Sequence, residues 1–246
     1  MLRKRSDLFF VDNKYCPGCG HGVINRLIAE ILEENNQQEN VICSLAVGCA
    51  CLLPESFGID VIQAQHGRAA AVACGLKRTR PETTVFAYQG DGDASAIGLS
   101  ETLYAAIRNE NITVIFINNG IYGMTGGQMS PTSLPGQKTT TSPRGRDVAL
   151  TGAPLNVIDL LQTREVAYLA RCSVHGHKEI NQTKKCLQRA FANQWANKGY
   201  SFVEILSPCP TNWKMAPVES NAHIKNAVTQ VYPLGVFYDK EERNND

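Results

Sequence analysis

TTVFAYQGDGDASAIGLSETLYAAIRNENITVIFINNGIYGMTGGQ, residues 83–128, decides how this chain folds. TTVFAYQ reads as a strand that ends on a Gly-Asp-Gly turn, ASAIGLSETLYAAIRN as a helix, and ITVIFIN as a second strand, buried by its unbroken apolar run. Strand, helix and strand in that order predict a right-handed crossover between parallel neighbours. Loops that follow parallel strands emerge at one edge of the sheet, and ligands bind there. The 25 residues from Asp93 to Ile117 supply one helix and one strand, so Asp91 and Asn119 arrive at neighbouring strand ends. Asp91 can give a carboxylate oxygen, Asn119 an amide oxygen and Ile121 its backbone carbonyl. Mg²⁺ and Ca²⁺ prefer such hard oxygens and keep positions open for phosphate. Gly90 and Gly92 admit close backbone approach, and a helix starting near Ala94, just after Asp93, turns free N–H groups toward an anion.

Outward from that stretch, residues 20–34 place Ile24, Leu27, Ile28, Ile31 and Leu32 on one helical stripe. Val41 to Val47 and Asp60 to Gln65 are strand candidates, and GRAAAVACGLKR suits a close-packed helix. Residues 123–154 are rich in Gly, Pro, Ser and Thr with little periodicity, which marks a loop that binds or covers something. A helix at 156–163, a strand at 166–170, a helix at 177–197 and a strand at Phe202 to Leu206 follow. This alternation predicts the α/β class: a doubly wound, mostly parallel sheet with helices on both faces. The expected organisation is one domain over residues 1–246, with extensions at both termini.

Composition excludes several roles. The 24 basic and 23 acidic side chains nearly cancel, leaving no field to steer nucleic acid, and no apolar run approaches the roughly 18 residues of a membrane span. The opening MLRKRSDLFFVDNK lacks the apolar stretch of a signal peptide, so a cytoplasmic chain is expected. Nine cysteines in a reducing compartment read as thiols, metal ligands or redox groups.

In YCPGCGHG, residues 15–22, Cys16 and Cys19 form a CxxC turn whose sulfurs can converge. A metal or cluster needs two more. CSLAVGCAC offers Cys43, Cys49 and Cys51, and SPCPTNW offers Cys209 between prolines. Cys49, after a glycine at a strand end, is favoured; Cys51 is the alternative, and Cys43 faces inward. Four thiolates suit zinc or a 4Fe-4S cluster equally.

GDG alone is an ordinary tight turn and NNG an ordinary hairpin signal. Together, at this separation, Gly90-Asp91-Gly92 and Asn118-Asn119 resemble the motif of the thiamine-diphosphate enzymes. The resemblance implies thiamine diphosphate with Mg²⁺ on Asp91, Asn119 and the Ile121 carbonyl. A thiamine site beside four thiolates suggests oxidative decarboxylation, because a cluster can take electrons one at a time. From about residue 8 to 236 the chain resembles the β subunit of a 2-oxoacid:ferredoxin oxidoreductase, through CPGCGHG, VGCAC, HGRAAAVACGLK, QGDGDASAIG, INNGIYGMTGGQMSPTS and SPCPTNWK. That family implies a 4Fe-4S cluster on Cys16, Cys19, Cys49 and Cys209, although Cys51 departs from the usual non-cysteine at its place. It implies that a 2-oxo acid and coenzyme A give acyl-CoA, carbon dioxide and reduced ferredoxin. An α subunit is expected to supply the glutamate that activates the cofactor's pyrimidine, with γ and ferredoxin-like δ subunits beside it. GQKTTTSPRGR and YPLGVF look most like the branched-chain 2-oxoisovalerate enzymes, ahead of 2-oxoglutarate and pyruvate. A zinc-stabilised nucleotide-binding protein is the distant alternative.

Other residues carry weaker signals. His66, Gly67 and Arg68 lie at a helix start where a bound anion offsets the unfavourable dipole. Thr125, Gly126, Gly127 and Gln128 are placed to wrap the diphosphate, since glycine N–H groups form anion nests. His21 is read as a helix-start residue, His175 and His177 as a solvated turn without an acidic partner, and Cys74, Cys172 and Cys186 as core thiols. No Lys or Arg occurs in 119–137, whereas Lys138, Arg144 and Arg146 follow as possible partners of a dicarboxylate.

Overall fold

β-branched and aromatic residues fill 84–88, apart from Ala87, and 113–117, and both segments are buried throughout. They form β3 (Thr84–Gly90) and β4 (Thr113–Asn118), parallel neighbours with Gly90 opposite Ile117. This computed structural model describes residues 6–9, 13–162 and 165–243. Residues 1–5 and 10–12 of the opening segment, and Thr163 at the expected end of a helix, lie outside the described residues.

The chain adds β1 (Val41–Leu45), β2 (Asp60–Gln63), a separate hairpin of β5 (Ile121–Tyr122) and β6 (Gln128–Met129), β7 (Tyr168–Ser173), β8 (Ser201–Leu206) and β9 (Gly235–Asp239). The main sheet has seven strands in the order β2-β1-β3-β4-β8-β7-β9. Six are parallel, and β9 runs antiparallel to β7. Helix α1 (His21–Glu34) packs on α7 (His177–Trp195), while α2 (Ala69–Thr79) meets α4 (Leu99–Ile107), which touches α6 (Val157–Leu161). The predicted stripe of α1 is the one it buries: Ile24, Leu27, Ile28, Ile31 and Leu32. Among the described residues no helix is long and apolar enough to cross a membrane.

Three expectations need correction. The helix expected from Ala94 is two: α3 (Asp91–Ser95) starts on the aspartate of the Gly-Asp-Gly turn, and α4 follows after a break at Ala96. Just past the break the chain is closely packed, since a Cβ on Gly98 would lie 2.0 Å from the Asp93 carbonyl and 2.5 Å from that of Gly67. The 123–154 loop holds the β5–β6 hairpin and a turn of helix, α5 (Val148–Thr151). Beyond Leu206, where the sequence pattern ran out, come α8 (Pro210–Trp213), α9 (Pro217–His223), a π-helical turn at Ile224–Val228 and β9.

Ile28 is fully buried in the main core. Ile28→Ala is expected to lower stability by about 2–5 kcal/mol through lost transfer energy and a residual cavity. A denaturant midpoint unchanged from wild type would contradict this packing.

Candidate functional site

Strand order reverses between β1 and β3: the chain leaves β1 for β2 on one side and returns to β3 on the other. Loops that diverge there open a crevice at the carboxyl ends of the strands. A cavity of ≈ 290 Å³ occupies this place, with Cys49 after β1, His66 after β2, Asp91 after β3 and Asn119 after β4 in its wall.

Asp91 is the chemical centre of the cavity. Its side chain is buried, Oδ1 accepts the Gly92 N–H at 3.1 Å, and Oδ2 has no hydrogen-bond partner. Burial pushes its carboxyl up to about 7, against the pull of the Gly92 N–H. An unpartnered buried oxygen beside a cavity suits a divalent cation. Asn119 Oδ1 accepts the Ile121 N–H at 3.1 Å, and its backbone carbonyl accepts the Trp213 indole N–H at 3.1 Å. Asp91, Asn119 and Ile121 are thus gathered in one wall.

The remaining predicted residues divide. Gly90, Gly92, Asp93, His66 and Thr125 also line the cavity. Asp93 ties two loops together, accepting the Gly67 N–H at 2.7 Å while His66 Nδ1 lies 2.9 Å from its other oxygen. Gly67 needs its left-handed φ of +82°, and a Cβ there would meet Ile97 at 2.8 Å. Arg68 pairs with Glu101 of α4 and is absent from the cavity wall. The Gly126 and Gly127 N–H groups bond to the Gly123 and Tyr122 carbonyls at 3.3 and 2.9 Å. They close the hairpin turn instead of forming a free anion nest. Gln128 turns back on Thr125, whose hydroxyl donates to Gln128 Oε1 at 2.6 Å.

The four favoured cysteines come from three separated loops. Cys16 and Cys19 share a turn closed by the Cys19 N–H on the Cys16 carbonyl at 3.0 Å, Cys49 opens a 3-10 turn (Cys49–Glu55), and Cys209 precedes α8. A Cβ added to Gly123 would sit 3.4 Å from Cys49 Sγ and 3.6 Å from Cys209 Sγ, so those two sulfurs flank one bare glycine. Burial pushes the Cys19 thiol up to about 12, and Cys209, Cys49 and Cys16 push the same way. Cys49 also rises to about 12, through burial and then through Cys209 and Cys16, with Cys51 a weaker neighbour than either. Among the described residues no three His, Cys, Asp or Glu side chains form a site for a metal ion.

His21 is the first residue of α1, stacked on Tyr15 at 4.8 Å, with Nδ1 2.7 Å from the Tyr88 hydroxyl. His175 does have an acidic neighbour, contrary to the sequence reading: its Nε2 lies 3.8 Å from Glu179, one helical turn on. Cys172 and Cys186 are buried, and Gln182 Nε2 donates to Cys186 Sγ at 3.8 Å. Of three residues that organise the site, Asn212 and Trp213 went unread and Arg146 was read only as a possible partner of a dicarboxylate. Asn212 donates to Cys209 Sγ at 3.4 Å and to the Gly123 carbonyl at 3.2 Å, joining the thiols to the hairpin. Trp213 holds Asn119. Buried Arg146 donates to the carbonyls of Ser130, Pro131, Ser133, Gly152 and Ala153, which fixes the long loop from inside. An arginine inside a Gly/Pro-rich stretch was the one available signal.

Residues 46–205 match the family model described as "Thiamine pyrophosphate enzyme, C-terminal TPP binding domain". The chain belongs to this family. Within it, the ketoisovalerate oxidoreductase subunit VorA of Methanothermobacter thermautotrophicus is 41% identical over 92% of this chain and 48% of its own length. The 2-oxoglutarate synthase subunit KorB of Methanothermobacter marburgensis is 37% identical over 86% of this chain and 72% of its own. The chain thus spans about half the length of the ketoisovalerate relatives it matches. A solved 2-oxoglutarate:ferredoxin oxidoreductase from Magnetococcus marinus, with 2-oxoglutarate, coenzyme A and succinyl-CoA bound, superposes with a TM-score of 0.75 at 26% identity, covering 98% of this chain and 86% of that one. These relatives place the chain among thiamine-pyrophosphate-binding subunits of the 2-oxoacid oxidoreductases.

Asp91 gives this family member a pH signature. Its carboxyl moves from an ordinary 3.8 to about 7, so between those values the folded cation-free chain binds a proton the unfolded chain has lost. Stability contributed by this group falls as pH rises through that window and levels off above about 7. Asp91→Asn should remove this part of the slope, read as thermal midpoint at pH 5 and pH 8 without divalent cations. An identical slope in the variant would assign it elsewhere.

Proposed function

We propose that this chain is the thiamine-diphosphate-binding β subunit of a 2-oxoacid:ferredoxin oxidoreductase. The assembled enzyme converts a 2-oxo acid and coenzyme A to acyl-CoA and carbon dioxide, with ferredoxin as electron acceptor. One observation carries this reading: Cys49 lies in the wall of the Asp91 cavity and shares Gly123 with Cys209. A site for a metal-bound diphosphate and a site for an electron carrier are therefore in contact.

Bound thiamine diphosphate supplies the electron sink for decarboxylation, and a 4Fe-4S cluster supplies a one-electron carrier. Asp91, Asn119 and the Ile121 carbonyl hold Mg²⁺, and the unpartnered Asp91 oxygen fits that use. Cys16, Cys19, Cys49 and Cys209 hold the cluster. Thiols from three loops suit a cluster, whose cysteines each take a different iron. Asn212 orients Cys209 through its amide N–H. Asp93 keeps His66 and Gly67 at the rim, and Tyr122, Gly123, Met124 and Thr125 of the hairpin form part of the cavity wall. Exposed Ile97 and Met124 lie in the cavity wall, a surface suited to burial against the α subunit that brings the activating glutamate. A γ subunit and a ferredoxin-like δ subunit complete the assembly, with the further subunits handling ferredoxin.

The substrate reading is 2-oxoisovalerate. Val47, Ala96, Ile97 and Met124 give the cavity an apolar side that suits a branched aliphatic chain. The relatives support it, since two ketoisovalerate oxidoreductase subunits match at 41 and 42% identity and a 2-oxoglutarate synthase subunit at 37%.

Two measurements test this reading. Anaerobically purified wild type and Cys51→Ser should show iron, by anomalous scattering at the iron edge, with broad visible absorption. Cys49→Ser should lose most of both, and a colourless zinc-loaded wild type would refute the cluster. On the assembled complex, kcat/KM for 2-oxoisovalerate should exceed that for 2-oxoglutarate or pyruvate by about tenfold or more, consistent with a few apolar contacts at 1–3 kcal/mol. Preference for 2-oxoglutarate would overturn the substrate assignment alone.

A further inference from the structure

Asn118, the first asparagine of the Asn-Asn pair, is buried at the end of β4 and takes no part in the cavity wall. Its Nδ2 donates to Glu204 Oε1 at 2.7 Å, and its Oδ1 accepts the Gly120 N–H at 3.1 Å. Glu204 on β8 is fully buried, and its second oxygen accepts from Arg171 Nε at 2.8 Å across the β7–β8 pair. Arg171 is 1% exposed and donates to the Pro233 carbonyl and Asn156 Oδ1, with Tyr232 and Phe237 rings 5.2 and 5.3 Å from its guanidinium.

We propose that Arg171, Glu204 and Asn118 form a buried positioning relay that sets the Asn119–Ile121 turn for a magnesium-bound diphosphate, an inference that rests on the reading of the cavity given above. A carboxylate only accepts, so Glu204 must face the NH₂ end of the Asn118 amide. That leaves Oδ1 aimed at Gly120, whose φ of +63° makes the turn. The Gly120 carbonyl is held in turn by the Ser133 hydroxyl at 2.6 Å and Gln137 Nε2 at 3.0 Å. With Asn118 and Gly120 both fixed, Asn119 between them has little freedom left. Stability alone does not explain the relay, because well-packed apolar groups commonly replace a buried ion pair at no loss. What the ions add is direction: Arg171 fixes the carboxylate, and the carboxylate fixes the amide.

The test is calorimetric titration of thiamine diphosphate, at saturating Mg²⁺, into the full chain with whatever subunits copurify. Asn118→Ala keeps the Arg171–Glu204 pair and should weaken binding about 10- to 100-fold, as loss of an orienting partner does. Glu204→Gln keeps an acceptor for Asn118 but loses the charge facing Arg171, and should weaken binding less; it decides the matter if Asn118→Ala does not fold. Ile28→Ala, destabilised away from the cavity, should bind as wild type does. Wild-type affinity in both relay variants overturns the relay, as does an equal loss in Ile28→Ala, which would make the effect one of general stability. A wild-type chain that binds no thiamine diphosphate overturns the cavity reading itself.

Discussion

A carboxylate kept from water with one oxygen lacking a donor is costly to maintain unless a positive charge arrives. Asp91 is that group here, and much of the architecture serves to hold it at the carboxyl end of β3. The parallel sheet brings the ends of β1, β2 and β4 alongside, so that loops distant in sequence face one oxygen atom. Burial, more than any neighbouring charge, raises its pKa, which marks the surroundings as dry and short of cations.

The loops that close on this centre are held by polar contacts rather than by apolar packing. Arg146 ties two ends of the 130–153 segment through backbone carbonyls, Trp213 grips the Asn119 carbonyl, and Asn212 joins the hairpin to Cys209. Hydrogen bonds set direction where van der Waals packing sets only volume, and ligand oxygens and sulfurs need direction. The hydrophobic core lies beneath, in the strands and the inner faces of α1 and α7, and it provides the rigid base on which these loops are mounted.

What the sequence disclosed and what it withheld follow from the range of the interactions involved. The β3–β4 crossover was legible because apolar runs and glycine turns are local signals, and the thiol loops were legible because CxxC and a cysteine between prolines are short motifs. The break at Ala96 was not, since the Gly67 backbone that packs against Gly98 beside it lies some thirty residues earlier in the chain. Arg146 was noted only as a possible counter-charge because its partners are carbonyls, which every residue has. Arg68 looked like an anion ligand until folding brought Glu101 beside it. β9 escaped notice because it is half exposed and short, without the unbroken apolar run that identified β4.

The reversed strand β9 lies along one rim of the sheet, and at the opposite rim β2 is only four residues long. Among the described residues both rims are short, five residues at β9 and four at β2, which limits the row of backbone groups on which another polypeptide could template itself. Growth of the sheet from molecule to molecule is thereby discouraged. Association is left to side chains on helices and loops, whose shapes and charges can distinguish one neighbour from another.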